Sequence, residues 1–170
     1  GGGGGVYVGT GSVNATDAKL EGNMSTGWSA NGGGIYVMFG EVSMRDTTVR
    51  SNSATWQGGG VYVSSGVLAV VNTRVEDNAA PFGGGAYVGG DVFMNQSLFI
   101  DNHASESGGG LFLNTSGGGA SLECESEAVG SHGFLFNDSE GTGGAVQIAS
   151  IEFTSLSSER CDWGFGSSDN

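Results

Sequence analysis

The stretch Gly58-Gly59-Gly60-Val61-Tyr62-Val63 recurs from one end of the chain to the other, and an internal repeat constrains a fold more tightly than any single motif. Gly3 to Val8 reads GGGVYV, Gly32 to Val37 reads GGGIYV, Gly83 to Val88 reads GGGAYV and Gly108 to Leu113 reads GGGLFL. Gly143-Gly144-Ala145-Val146 is a late, degenerate copy. The residues after the glycines are Val6, Ile35, Val61, Ala86, Leu111 and Ala145, at intervals of 29, 26, 25, 25 and 34 residues. A second anchor keeps phase with the first: an apolar residue, two variable ones, asparagine, one more variable residue, then a small one. It reads Leu20…Asn23…Ser25, Val49…Asn52…Ala54, Val75…Asn78…Ala80, Phe99…Asn102…Ala104 and Phe134…Asn137…Ser139. Leu156…Glu159…Cys161 stands as a sixth copy, with glutamate in place of asparagine. The last interval is long because residues 114–133 carry an insertion in the fifth repeat.

Within a repeat the apolar residues alternate. Ile35 and Val37 flank Tyr36, Val42 and Met44 flank Ser43, and Thr47 and Val49 flank Thr48. A period of two marks strands with one buried face, and no segment carries a helical stripe. Three short strands in about 25 residues are too few for a propeller blade of about 40 residues, but they suit one coil of a parallel β-helix. The expectation is an all-β chain, a right-handed parallel β-helix (β-solenoid) of about six coils. Its repeats start near residues 3, 32, 58, 83, 108 and 143, within one domain over 1–170 that is part of a longer chain or fibre. The hand follows from the preference of parallel crossovers. At a strand spacing of about 4.8 Å, six coils reach about 29 Å.

Stacking turns equivalent positions into columns. Asn23, Asn52, Asn78, Asn102 and Asn137 are expected to form an inward ladder, each amide donating to the next side chain and to backbone carbonyls. The glycines belong where the chain turns sharply between coils. Trp28, Trp56, Phe82 and Trp163 are expected to fill one corner column. Alternation sends Tyr7, Tyr36, Tyr62, Tyr87 and Phe112 outward. That column is either an aromatic contact strip for another chain or a glycan, or simple cross-strand ring stacking.

Of the 170 residues 35 are glycine and 1 is proline, and the clustering of the glycines excludes collagen. Five Lys+Arg against 18 Asp+Glu give a net charge of -13, which repels phosphate backbones, so no nucleic-acid partner is expected. No apolar run is long enough to span a membrane, and this segment is not expected to insert in one. Cys124 and Cys161 are either a disulfide formed outside the cell or two free thiols. Glu123, Glu125, Glu127 and His132 are weak candidates for a divalent cation, against the plainer reading of a solvated acidic loop. No cofactor is expected. Sequons begin at Asn14, Asn23, Asn95, Asn114 and Asn137. Asn14 faces outward and Asn95 and Asn114 fall at turns, so these three are the glycosylation candidates, whereas ladder positions Asn23 and Asn137 are expected to stay bare.

Glycine clusters followed by an aliphatic residue and alternating with F-x-x-N resemble the repeats of the polymorphic membrane protein family, which are surface-exposed passenger domains of adhesin type. Gly143-Gly144-Ala145-Val146, Phe99-Ile100-Asp101-Asn102 and Phe134-Leu135-Phe136-Asn137 carry both motifs, and most other copies here read GGG. The resemblance covers nearly the whole chain and implies a secreted, elongated, non-catalytic surface protein. The functional expectation is an extracellular or cell-surface structural or adhesive protein, a building block of a filament that associates with itself end to end or along its side. A glycan-binding module is the alternative. A polysaccharide lyase or hydrolase ranks below both, because the acidic residues are scattered and no paired-aspartate motif is present to supply catalytic residues.

Overall fold

A computed structural model describes residues 2–114, 120–125, 133–149, 153–157 and 162–163. Among these residues there is no helix. Each of the first four coils opens with a long strand: Val6–Thr16, Ile35–Arg45, Val61–Val71 and Ala86–Asn95. A short strand follows in each coil: Lys19–Glu21, Thr48–Arg50, Arg74–Glu76 and Leu98–Ile100, continued by Gly133–Leu135. A third strand closes the coil: Met24–Ser25, Ser53–Ala54, Ala79–Phe82 and His103–Ser107, continued by Asp138–Ser139. Every pairing is parallel and joins a strand to its equivalent one coil later, as in Val6↔Ile35, Ile35↔Val61 and Ala86↔Leu111. Parallel sheets of eight, six and five strands thus wrap one core. The third sheet, with five strands, limits the described residues to fewer complete turns than the six coils expected.

Alternation decides what fills the interior. Ile35, Val37, Val42, Met44 and Val49 from one coil meet Val61, Val63, Leu68, Val70 and Val75 from the next, all fully buried. Higher in the stack Phe99 and Phe134 lie ring on ring inside the core, 5.1 Å apart.

The three strands are not the three read from the pattern. Ile35–Val37 and Val42–Met44 are two halves of one eleven-residue strand, and the third sheet is built around Ser53–Ala54 instead. Glycine makes the fusion possible. Gly11, Gly40, Gly66 and Gly90 stand in register, each with φ between 129° and 157°. The strand bends there with its pairing resumed on both sides, through a one-residue bulge where Val63–Gly66 meets Val88–Gly90, and the odd spacing from Val37 to Val42 is absorbed at the bend. A Cβ on Gly66 would lie 1.7 Å from the Gly40 carbonyl oxygen, so the coils approach too closely for any side chain.

The tail of the repeat also departs from expectation. Leu156 pairs with Leu122 in the long-strand sheet, while Trp163 pairs with Phe134 and takes up the Val49–Val75–Phe99 column. Leu156 therefore does not stand at the apolar position of the ladder motif, Glu159 and Cys161 lie outside the described residues, and the register of Trp163 is that of Phe134, not of the corner at Trp56 and Phe82. The described part of the insertion is regular as well. Ala120–Glu125 pairs with Val92–Asn95 and forms the second half of the fifth long strand.

Two left-handed turns separate the strands. Asp17, Asp46, Asn72 and Gln96 have φ of 45–51° before the second strand, and Ser51, Asp77, Asp101 and Phe136 have φ of 52–54° before the third. Asp and Asn tolerate this region through their short polar side chains, which accounts for their recurrence at both corners.

The glycine column yields a paired prediction. Gly66→Ala is expected to cost about 3 kcal/mol or more, through overpacking against Gly40. Gly9→Ala, whose Cβ would meet nothing within 4 Å, should change stability by no more than about 0.5 kcal/mol. Urea unfolding of the two variants measures both.

Candidate functional site: inner ladders and an outer aromatic column

The asparagine column closes each coil against the next. The backbone N–H and the side-chain amide of Asn52 both donate to Oδ1 of Asn78, each at 3.0 Å. Asn78 donates in the same way to Asn102, and Asn102 to Asn137. The second amide hydrogen turns back to the preceding coil: Asn52 to the Leu20 carbonyl, Asn78 to Val49, Asn102 to Val75 and Asn137 to Phe99. Asn52, Asn78, Asn102 and Asn137 are buried, and Asn23, in the first coil, is half-buried and donates to Asn52.

The glycine motif fits onto this ladder. A Cβ on Gly60 would sit 3.1 Å from the Asn78 side-chain carbon, and the same meeting recurs between Gly85 and Asn102 and between Gly110 and Asn137. On Gly59 it would strike the Gly84 carbonyl at 2.4 Å, and Gly58 has a φ of 64°. The two recurring motifs therefore face one another across the closure of each coil.

A second polar column was not evident as such in the sequence. Thr47, Thr73 and Ser97 are buried, and their hydroxyls donate to the carbonyls of Arg45, Val71 and Asn95, two residues back. Ser97 Oγ also accepts from the Thr73 N–H at 3.0 Å. The alternation that pairs Thr47 with Val49 repeats as Thr73 with Val75 and Ser97 with Phe99, and the signal for their role is the hydroxyl-bearing residue at the same place in three coils.

On the outer face Tyr7, Tyr36, Tyr62, Tyr87 and Phe112 stack in order, with centroids 4.9–5.2 Å apart and planes within 22° of parallel. Stacking turns the ring faces toward each other. Tyr7 at one end is 59 % exposed, whereas Tyr62 and Tyr87 are only 8 % and 6 % exposed. Phe112 also meets Phe82 edge-on, and Phe82 meets Trp56, so the column runs on round the corner. Trp28 stands apart from it, 97 % exposed, while Ala30 occupies the corner beside Trp56. The first coil has a longer turn there than its neighbours, and Trp28 lies on it.

Burial raises the Tyr87 phenol above its ordinary range, with the neighbouring Tyr62 adding to this and hydrogen bonds from Asn114 and Gln57 opposing it. Tyr36 is raised too, by burial first and then by Tyr62 and Tyr7. On the second sheet, hydrogen bonds from Lys19 and Arg50 hold the exposed Glu21 carboxyl below its usual range.

The remaining candidates are dispersed. Glu123 and Glu125 point outward from Ala120–Glu125 and line a cleft of about 240 Å³ with Phe93, Asn95, Ala69 and Val71. Glu127 and His132 lie outside the described residues, and among the described residues no three potential ligands group to hold a metal ion. Cys124 points inward and is disulfide-bonded; Cys161 lies outside the described residues. Asn14 is exposed on the first strand, while Asn95 and Asn114 are the half-buried last residues of strands, not turn residues. The His103 imidazole, 44 % exposed, lies 3.0 Å from the Asp138 carboxylate.

Parallel pairing, three sheets and an inward asparagine ladder define a β-solenoid, and comparison with known families agrees. Residues 3–156 match the family described as a right handed beta helix region. The chain belongs to that family. No curated protein and no solved structure matches it.

Two predictions follow from these columns. Asn78→Ala removes the acceptor of two Asn52 donors and the amide that donates to Asn102 Oδ1 and to the Val49 carbonyl, while its backbone N–H still reaches Asn102, and is expected to cost about 3 kcal/mol in urea unfolding. The tyrosines give a pH dependence. A phenol raised in the folded state stabilises the fold below its unfolded value of about 10, and that contribution is lost as pH rises through the folded value. Absorbance titration should show phenols ionising late, with stability declining over the same alkaline range.

Proposed function

We propose that this chain is a non-catalytic extracellular scaffold, a stiff structural or adhesive rod that serves as a building block of a filament or surface appendage. One observation carries the reading: the recurring residues all act along the axis. Asparagine, hydroxyl, glycine and aromatic columns each tie one coil to the next. Repetition of this kind lengthens and stiffens a rod, whereas catalysis needs a constellation that occurs once. The disulfide at Cys124 supports an oxidising compartment. The charge of -13 favours solubility outside the cell and disfavours phosphate-bearing partners. Self-association end to end or along the side supplies the assembly.

Glycan binding is the second reading, favoured by the open Tyr7 ring and by Trp28. Such contacts would be made at the first coils, because the middle rings of the column cover one another.

Electron microscopy of natively purified material tests the assembly, with fibres or laterally joined rods expected. Isolated rods at high concentration that bind members of a glycan array would favour the second reading, and turnover of a polysaccharide panel would refute both. Compartment is tested separately by thiol titration of the unfolded, unreduced protein, where no free thiol is expected. Cys124→Ser should then lower stability by about 2–4 kcal/mol.

A further inference from the structure

The five sequons are sorted by what the fold does with their amides and hydroxyls. Asn23 and Asn137 donate their amides within the ladder, Ser25 is buried, and the Ser139 hydroxyl donates to the Thr142 carbonyl. Asn95 is half-buried, and the hydroxyl of its sequon partner Ser97 is buried and bonded on both sides. Asn114 gives its amide to the Tyr87 hydroxyl. The sequon Asn14-Ala15-Thr16 differs from these. Asn14 and Thr16 are both exposed on the outer face of the strand, while Ala15 between them packs against the core. Its in-register neighbour on the next coil is Ser43, a small residue that leaves lateral room.

We propose that Asn14 is the N-glycosylation site of this chain, and the one sequon among the five whose modification is compatible with the coiled state. The donor is an oligosaccharide linked through a diphosphate to a polyisoprenoid lipid. The Asn14 amide nitrogen forms a bond to the anomeric carbon, the bond from that carbon to the diphosphate oxygen breaks, and the amide proton and lipid diphosphate leave. A strand held in a ladder cannot enter a transferase, so transfer precedes coiling and the fold decides which products survive. A sugar on a ladder asparagine would occupy space the coil fills, one on Asn95 would crowd the cleft that it lines with Glu123 and Glu125 of the next coil, and one on Asn114 would displace the Tyr87 hydroxyl. At Asn14 the glycan projects from the outer face of the long-strand sheet, beside Ser43 of the following coil.

The setting rests on the extracellular reading, but the site can be tested without it. The chain is secreted through an added signal peptide from a glycosylating eukaryotic cell, and the folded, protease-resistant fraction is mapped by glycopeptide mass spectrometry beside a control sequon protein. Asn14 is expected to be occupied, with Asn23, Asn95, Asn114 and Asn137 unmodified. Thr16→Ala should remove one glycan mass with the unfolding midpoint of the enzymatically deglycosylated protein unchanged, and Thr16→Ser should retain the glycan. An empty Asn14 in cells that modify the control, or a glycan on any of the other four sequons in the folded fraction, overturns the proposal. The same mapping on native material tests the compartment: a bare Asn14 there, after occupancy in the host, would count against the extracellular reading and leave the site's competence standing.

Discussion

The structure depends on a column of amides whose bonding is complete and has a direction. At Asn52, Asn78 and Asn102 each Oδ1 accepts two N–H donors from the coil before, and each Nδ2 donates once forward and once back. Asparagine suits the position because it places two donors and an acceptor one methylene from the backbone. A buried carboxylate would lack the donors and a hydroxyl would lack one of them. Because every bond crosses between coils, the column sets the rise of the solenoid and fixes its register at one residue per coil. The glycines answer to it: the third glycine of the cluster lies where a Cβ would press on the ladder amide, and the second lies where one would strike the neighbouring carbonyl.

The interval between repeats and the ladder were legible because each rests on one residue type at one position. Asn52, Asn78, Asn102 and Asn137 stand where their spacing placed them, with hydrogen bonds of the kind expected. Strand boundaries were less legible. A glycine such as Gly40 reads as a turn, yet here it bends a strand that keeps its pairing, and only the neighbouring coil's close approach distinguishes the two. The final repeat was misplaced because Leu156 matched one apolar position in isolation, whereas pairing with Leu122 sets its place in the coil. Trp28 was drawn into the corner by its spacing from asparagine, but the longer first turn carries it out and lets Ala30 take the corner. Alternation gave the direction of Thr47, Thr73 and Ser97 but not their hydrogen bonds, since hydroxyls are common on strands for other reasons.

The outer face shows the same economy. Five stacked rings would offer a ligand a broad surface if they lay flat, but their faces are turned to one another along the axis. Covered rings add cohesion between coils, so the inner and outer columns reinforce a single mechanical property. Among the described residues, two larger departures from the repeat are the long first turn at Trp28 and the lengthened fifth coil with Glu123, Glu125 and Cys124. Irregular positions on a solenoid are where individual recognition has room to develop.

Hydrogen exchange of the asparagine side-chain amides, followed by nuclear magnetic resonance, tests the ladder most directly. The account predicts that both amide protons of Asn52, Asn78 and Asn102 exchange only when the solenoid unfolds globally, while those of Asn14 exchange at once. Fast exchange at the three ladder residues in a folded protein would contradict it, because those amides would then be bonded to water and the coils held together by something else.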